Sequence, residues 1–143
     1  MTDTIDVRTL PVDGTWRNDA GSELVLRQEG ARLTGSYRTR IGAADTTRTY
    51  ELAGWRDRRC LGFTVSWAPE SESLTSWTAL LHLAPDGETV MEAMWLLVSA
   101  TTFRKTDAGV VPTDTGPWEA FRTQAVSFRR VAGQDTTGSK IIT

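Results

Sequence analysis

Tryptophan and hydroxyl side chains recur together along this chain. The sequence has six tryptophans among 143 residues, against two tyrosines and four phenylalanines. Trp67, Trp77 and Trp95 each have a serine or threonine within four positions. An indole offers a large rigid apolar wall with one N–H donor, and a hydroxyl can both donate and accept. The set indicates a pocket for a small, flat, partly polar ligand, although core packing is the alternative for any single tryptophan.

The residues that usually carry catalysis or bind metals are scarce. Cys60 is the single cysteine and His82 the single histidine, so the sequence predicts no disulfide within the chain and no metal cluster. An enzyme would need an acid, base or nucleophile that faces a cavity. By alternation, the candidate carboxylates fall on turns or outward positions: Asp19, Glu23, Glu51 and Glu92. We therefore expect neither an enzyme nor a resident cofactor.

Charge and hydropathy exclude two further classes of protein. The net charge is -2 and the isoelectric point is near 5.4. Basic residues form no stripe for nucleic acid and no patch for a membrane surface, and no apolar run is long enough to span a membrane. The segment Met1–Asp13 lacks the apolar core of a signal peptide. We expect no nucleic-acid or membrane partner.

Alternation with a period of two dominates the chain and predicts strands. Turn residues such as Gly, Pro and Asp separate eight candidates, which are Thr15–Asn18, Glu23–Gln28, Arg32–Arg38, Thr47–Trp55, Gly62–Trp67, Thr75–Leu83, Thr89–Ser99 and Trp118–Val131. This pattern predicts an all-β domain over 14–131, either an up-and-down barrel or a sandwich. Thr101–Gly116 is expected to be a long connection. Residues 1–13 and 132–143 are expected to be flexible terminal segments.

A barrel of eight strands leaves room inside for side chains or for one small ligand. Its inward faces would combine indoles with hydroxyls, and each buried hydroxyl needs a partner that a ligand could supply. Its outward faces would carry apolar residues such as Leu80, Met91 and Val98, which indicate contact with another subunit.

Five ordered motifs resemble the avidin/streptavidin family of biotin binders. They are Gly14-Thr-Trp-Arg-Asn18 with Gly21-Ser22, Leu33-Thr-Gly-Ser-Tyr37, Gly62-Phe-Thr-Val-Ser-Trp67, Thr75-Ser-Trp77 and Trp95-Leu-Leu-Val-Ser99. The resemblance covers about Gly14 to Val131. It implies an eight-stranded antiparallel up-and-down β-barrel with a biotin site at one mouth. It also implies a homo-oligomer, a tetramer rather than a dimer, that is secreted or periplasmic, while an intracellular location stays open.

The resemblance also implies the roles of individual residues. Asn18, Ser22 and Tyr37 match the trio that donates hydrogen bonds to the ureido oxygen of biotin, and Thr75 matches the hydroxyl that faces the ring sulphur. The carboxylate end would meet the hydroxyls of Thr39 and Ser73 and the backbone of the loop that holds Ile41 and Ala43. Aromatic walls would come from Trp67, Trp77 and Trp95 with Leu97 beside them, and Trp118 matches a tryptophan that reaches a neighbouring subunit's site.

Two departures from the family pattern bear on affinity. Val126 stands where the family places an Asp or Asn that accepts from a ureido N–H, unless Gln124 supplies that acceptor. An unmet N–H costs about 1–3 kcal/mol. The connection 101–117 is also longer than usual and could cover the mouth or alter the contact of Trp118. A lipocalin-like carrier of another small apolar ligand is the alternative function.

Several residues have ordinary structural explanations. Trp16 is expected in the core and Trp55 on the outer surface, while Asn18 and Ser22 could simply cap a turn. Arg56, Arg58 and Arg59 are expected to form a solvated turn, and His82 an outward strand position.

Overall fold

The computed structural model describes residues 6–39 and 48–131. Ile41 and Ala43, two of the expected site residues, lie outside the described residues. All regular elements are strands: β1 Gly14–Asn18, β2 Glu23–Glu29, β3 Arg32–Arg38, β4 Tyr50–Asp57, β5 Cys60–Ser66, β6 Ser73–Leu83, β7 Thr89–Ser99, β8 Thr101–Thr106, β9 Gly109–Asp114 and β10 Phe121–Arg130. The eight predicted strands are therefore present with small shifts of their ends.

Eight of the strands close into an antiparallel barrel in the order β1-β10-β7-β6-β5-β4-β3-β2. Sequence neighbours pair as hairpins around the barrel, and β10 closes it against β1 with Trp16 opposite Arg130. This is the up-and-down barrel that the resemblance implied, and the sandwich is excluded. Full closure leaves the barrel without an unpaired edge strand.

The connection before the last strand differs from the sequence prediction. Residues 101–116 were expected to be a long loop, but β8 and β9 pair there as a separate two-stranded hairpin, with Thr101 opposite Asp114 and Thr106 opposite Gly109. The prediction was wrong because a proline and several glycines and aspartates suggested irregular chain. Pro112 and Gly109 are compatible with this short two-stranded element, whose outer edges carry no further strand. Trp118 lies in the turn after the hairpin and not in β10.

Alternation of buried and exposed side chains follows the pleat of each strand. In β6, Thr75, Trp77 and Leu81 are buried while Ser76 and Thr78 between them are exposed. Two glycines permit the close approach of neighbouring strands. A Cβ on Gly35, whose φ is +153°, would lie 1.8 Å from the Val25 carbonyl oxygen. A Cβ on Gly54 would lie 1.9 Å from the Gly62 oxygen, so both positions require glycine.

The character of the inward face changes along the barrel axis. In the register of β6, β7 and β10, successive layers run from Leu81–Met91–Phe128 through Ala79–Ala93–Val126 and Trp77–Trp95 to Thr75–Leu97–Arg122, and Gln124 beside Trp95 is exposed. Leu81, Met91 and Phe128 are fully buried. We call the end of the barrel near these three residues the closed end, and the end near Thr75 and Arg122 the open end. The dry core therefore fills only part of the barrel.

The N-terminal segment covers the closed end. Val12 is fully buried, and its carbonyl accepts a hydrogen bond from the Trp16 indole nitrogen at 3.0 Å. Val12 and Trp16 are thus in contact, although the boundary predicted between the N-terminal segment and the barrel, at Asp13, lies between them. Trp16 is fully buried, as expected.

Arg56 corrects a second expectation. It was assigned to a solvated turn, but its side chain is only 6% exposed and its guanidinium lies under the N-terminal segment. It donates to the carbonyls of Val7 at 2.9 Å, Arg8 at 3.2 Å and Leu10, and to Gln28 Oε1 at 2.8 Å. The alternation of β4 places Arg56 inward, and the carbonyls of the covering segment satisfy it there. Desolvation lowers the pKa of Arg56, while the charge of Asp13 raises it.

The outer faces agree with the sequence in part. Trp55 is 62% exposed and lies on the surface with the Arg32 guanidinium over its ring, at 5.4 Å from the centroid. Leu80 is exposed as expected. Met91 was assigned to an outward position, but it is fully buried because its partners Leu81 and Phe128 share the inward phase.

Candidate ligand-binding site

A cavity of about 400 Å³ opens at the open end of the barrel. Most of the site residues expected from sequence line it: Asn18, Ser22, Tyr37, Thr39, Trp67, Ser73, Thr75, Trp77, Trp95 and Leu97. They come from β1, β3, β5, β6 and β7 and the connections that follow them, and the closure of the barrel brings them together. The volume lies within the range of pockets that hold small molecules.

A turn after β1 orients the first polar group. Asn18 Oδ1 accepts hydrogen bonds from the backbone nitrogens of Ala20 and Ser22, both at 3.0 Å. The capping role considered for Asn18 is therefore real. Because these two bonds use the amide oxygen, the amide nitrogen is the end of Asn18 left to face the cavity as a donor. Turn capping and a binding role are compatible at this position.

Tyr37 connects the polar groups of the cavity floor. Its side chain is 5% exposed, and its hydroxyl forms side-chain hydrogen bonds with Ser22 and Asn18. Burial raises the pKa of the Tyr37 hydroxyl, and the bonds from Ser22 and Asn18 oppose that rise. The phenol therefore stays neutral and keeps its proton at ordinary pH. Two hydroxyls and one amide converge on one spot between β1 and β3.

The aromatic walls are held by contacts among themselves. The Tyr37 ring lies 4.8 Å from the Trp77 ring and 5.9 Å from the Trp67 ring, measured between centroids. Phe63 stacks behind Trp77 at 5.4 Å with an interplanar angle of 19°. The Trp67 indole nitrogen donates to Thr75 Oγ1 at 2.8 Å, so the Thr75 hydroxyl retains its own proton for another acceptor.

One buried donor of the site lacks a partner. Trp77 is 3% exposed, and its indole nitrogen makes no hydrogen bond within the part of the chain that the structure describes. Val126, which was expected at the family's acceptor position, is half-buried and packs against the core, and its side chain cannot accept a hydrogen bond. Gln124 is exposed and does not line the cavity, so it does not replace the acceptor. The described lining therefore has donors at its floor without a facing carboxylate.

The sequence did not predict all of the residues at the mouth. Further lining residues are Glu70, Ser71, Ser99, Thr101, Thr102, Thr115, Glu119, Ala120 and Arg122. Glu70 accepts from the Tyr50 hydroxyl at 2.7 Å and pairs with Arg48. Arg122 could have been found, because it shares the inward phase of Val126 and Phe128. The threonines of the hairpin could not, since the sequence did not reveal that β8 and β9 pair.

Trp118 is not part of this cavity. Its side chain is 89% exposed, and it does not line the pocket of its own chain. A tryptophan this exposed on a single chain is free to contact another surface.

Other kinds of site are not found in the described ranges. No group of three or more His, Cys, Asp or Glu residues in 6–39 and 48–131 could hold a metal ion. Glu23 pairs with Arg17 and Arg38, which lower its pKa, and His82 Nε2 lies 3.1 Å from Glu92 on the outer face. No helix among the described residues is long and apolar enough to cross a membrane.

The sequence is similar to known avidins. A model of the avidin family matches residues 6–115. Avidin of Gallus gallus is 29% identical over 139 residues, covering 91% of this chain and 84% of avidin. Avidin-related protein 4/5 of the same organism is 32% identical over 104 residues, covering 68% of this chain and 69% of its own length.

Solved structures share the fold. Xenavidin has a TM-score of 0.66 and 30% identity, covering 84% of this chain and 96% of its own. A rhizavidin–biotin complex has a TM-score of 0.62 and 18% identity, covering 84% of this chain and all of its own. At that identity the similarity supports the fold alone.

Proposed function

Because the chain belongs to the avidin family, we propose that it binds biotin without catalysis in the cavity at the open end of its barrel. The observation that carries the proposal is the convergence of Asn18, Ser22 and Tyr37 at the cavity floor. A urea oxygen carries two lone pairs and partial negative charge, so it can replace the hydrogen bonds that these three side chains make with one another and accept from them. Hydrogen bonds of this kind strengthen one another where water is excluded.

The walls of the cavity suit the remaining parts of biotin. Trp67, Trp77 and Trp95 with Leu97 offer flat apolar surface for the bicyclic ring. The free proton of the Thr75 hydroxyl faces the place of the ring sulphur. Thr39 and Ser73 would meet the carboxylate end, together with Ile41 and Ala43 of the loop between β3 and β4.

The floor also suggests a limit on affinity. Biotin has two ureido N–H groups, and Val126 offers no acceptor at the position where the family resemblance places one. An unmet N–H costs about 1–3 kcal/mol, so we expect weaker binding than a carboxylate at this position would give. The Trp77 indole nitrogen is also buried, with no partner among the described residues.

A lipocalin-like carrier of another apolar ligand remains the alternative. It is less well supported, because a fatty or terpenoid chain would make no hydrogen bonds with the polar floor that Asn18, Ser22 and Tyr37 form. A competition experiment between biotin and a fatty acid would separate the two functions.

We further propose a homo-oligomer, with a tetramer preferred over a dimer. The outer faces of β6, β7 and β10 hold exposed apolar residues that lie diagonally across the register, with polar residues such as Glu92 between them: Leu74, Leu80, Met94, Leu96 and Phe121. We call these five residues the apolar outer patch. Exposed patches of this kind mark interaction surfaces. Light scattering at micromolar concentration tests this proposal, and a monomeric mass would refute it.

Trp118 and the hairpin could link the assembly of subunits to biotin binding. We propose that Trp118 contributes to the biotin site of a neighbouring chain, so Trp118→Ala should weaken biotin binding. If shortening the hairpin within 107–115 leaves binding unchanged while Trp118→Ala impairs it, the shared site stands. If the shortened hairpin releases biotin faster and Trp118→Ala has no effect, the hairpin has that role instead. Secretion remains a further expectation from family resemblance.

Calorimetric titration with biotin tests the function. We expect one biotin per chain, a change in tryptophan fluorescence, and a higher melting temperature with excess biotin, because ligands stabilise the state that binds them. No heat together with no thermal shift would refute the proposal.

A further inference from the structure

The cavity wall at Trp67 is held between two tyrosines. Its indole makes edge contacts with the Tyr50 ring, at 4.9 Å between centroids and an interplanar angle of 69°, and with the Tyr37 ring, at 5.9 Å and 75°. The indole nitrogen is bonded to Thr75 Oγ1. A close-packed side chain with contacts on several sides has few other orientations open to it. The orientation of this wall therefore depends on the position of the Tyr50 ring.

Tyr50 is a core residue that does not line the cavity. It is 3% exposed and occupies the first position of β4. Its hydroxyl donates to Glu70 Oε1 at 2.7 Å. A hydrogen bond to an ionised carboxylate is stronger than one between two neutral groups. The hydroxyl end of Tyr50 is therefore tied to the connection between β5 and β6.

Glu70 also pairs with a cation. Its Oε2 contacts Arg48, whose guanidinium lies over the Tyr50 ring at 5.0 Å from the centroid. The side chains of Arg48 and Glu70 are 43% and 28% exposed, so water screens their ion pair. The bond from the buried Tyr50 hydroxyl is screened less. We therefore expect the Tyr50–Glu70 hydrogen bond to contribute more than the ion pair.

The backbone connects Glu70 to the wall. The Trp67 nitrogen donates to the Ser73 carbonyl at 3.1 Å, and the Ser71 nitrogen donates to the Trp67 carbonyl at 3.2 Å. Trp67 thus lies at the base of a short closed connection that has Glu70 midway along it. The hydrogen bond between Glu70 and Tyr50 fastens this connection to β4, and it fixes both the backbone of Trp67 and the ring that packs against its indole.

We propose that Tyr50 and Glu70 are positioning residues for the biotin site, which hold Trp67 in its binding orientation and thereby slow the release of biotin. The inference rests on the proposed function of the same cavity. A wall that is oriented before the ligand arrives loses little conformational entropy when the ligand binds. The lifetime of the complex therefore depends on a hydrogen bond from Tyr50, a side chain outside the cavity lining.

Tyr50→Phe removes the hydroxyl and keeps the ring. We expect biotin to dissociate about three- to tenfold faster from this variant, the value of one hydrogen bond. Glu70→Ala should have a similar effect and Glu70→Gln a smaller one, because an amide oxygen still accepts from the phenol. The double variant Tyr50→Phe/Glu70→Ala should release biotin no faster than either single variant, since both substitutions remove the same bond.

Two further measurements show whether the effect passes through the wall. Tyr50→Phe should change the near-UV circular dichroism of the protein, and in a Trp67→Phe background it should change neither this signal nor the release rate further. Biotin methyl ester should show the same acceleration as biotin in Glu70→Ala. An acceleration limited to biotin would mean that the Glu70 carboxylate acts directly on the charged ligand, and it would overturn the inference.

Glu88→Ala is the matched control. Glu88 is also a glutamate that pairs with an arginine, Arg129 at 3.0 Å, but it lies in the turn before β7 at the closed end. This variant should release biotin at the wild-type rate. Unchanged release from Tyr50→Phe would overturn the inference, as would additive effects of Tyr50→Phe and Glu70→Ala. Absence of biotin binding to the folded wild-type protein would instead refute the proposed function.

Discussion

The two ends of this barrel differ in whether their buried polar groups have hydrogen-bond partners within the chain. At the closed end, the Trp16 indole donates to Val12, and the Arg56 guanidinium donates to carbonyls of the N-terminal segment. At the open end, the Trp77 indole nitrogen is equally buried and has no partner within the described residues. Both ends use the same alternation and the same residue types. The N-terminal segment supplies hydrogen-bond partners to the buried polar groups at the closed end. No described residue does so for the Trp77 nitrogen at the open end, where a ligand could bind.

This contrast separates stability from binding. A buried polar group whose partners belong to the chain contributes to folding, and its removal costs free energy of unfolding. A group whose partner is a ligand contributes to affinity and costs stability until the ligand arrives. Variants of the two ends should therefore change different measured quantities.

Arg56→Ala should have the largest effect. It leaves several backbone carbonyls at the closed end without a donor, so we expect the free energy of unfolding to fall by about 3 kcal/mol. Biotin affinity of the folded protein should stay within twofold. Chemical denaturation and calorimetry measure the two quantities.

Arg58→Ala is the control for that variant, because Arg58 lies in the same turn region but is exposed and pairs with Asp57. It should leave the free energy of unfolding nearly unchanged, because water screens this exposed pair. An equal loss in both variants would show that the closed end does not depend on the covered guanidinium.

Tyr37→Phe, at the open end, should lower biotin affinity and largely spare stability, the reverse of Arg56→Ala. It removes one donor from the proposed ureido site without creating a cavity, so biotin affinity should fall by about 2 kcal/mol, or roughly thirtyfold. Stability without biotin should change little, although the variant also removes the bonds of Tyr37 with Ser22 and Asn18. Unchanged affinity would mean that Tyr37 has only a structural role.

Val126→Asp tests the missing acceptor. A carboxylate here would accept from a ureido N–H, so we expect biotin to bind about tenfold more tightly, while burial of the charge lowers stability of the protein without biotin. Val25→Asp, the same substitution at an exposed position of β2 away from the apolar outer patch, should alter neither property much. Weaker binding by Val126→Asp would mean that another group already accepts from that N–H.

The smallest effect concerns alkaline pH. Burial raises the pKa of the Tyr37 hydroxyl above its ordinary value of 10.0. The stability that the neutral phenol contributes is fully present below about pH 10 and is lost as the pH rises through the raised value. Biotin affinity should follow the same course, since the ionised phenol no longer donates. A Tyr37-dependent decline centred below pH 9 would contradict this.

Alternation and turn residues predicted the eight strands but left a barrel and a sandwich open, and the family resemblance selected the barrel. Family motifs pointed to Asn18, Tyr37 and Trp77, and the structure brings these three residues to one cavity. The inward orientation of the Arg56 side chain was not predicted, because three arginines close to a turn are typical of a solvated surface. Only the packed N-terminal segment shows what satisfies that charge.

The residues that line the mouth of the site were not predicted for another reason. Thr101 and Thr115 are distant from the family motifs, and their position depends on pairing between β8 and β9. The proline and glycines in that segment indicate turns, while the pairing that makes a hairpin is a property of contacts in space. Composition could therefore identify the segment as unusual without showing what it builds.

A crystal structure with bound biotin tests the central claim most directly. The account predicts that the ureido oxygen lies about 2.7–3.2 Å from the Asn18 amide nitrogen and from the Ser22 and Tyr37 hydroxyl oxygens, with the tail directed to the mouth. Biotin bound with its carboxylate at the floor, or on the outer wall beside Trp55, would contradict it.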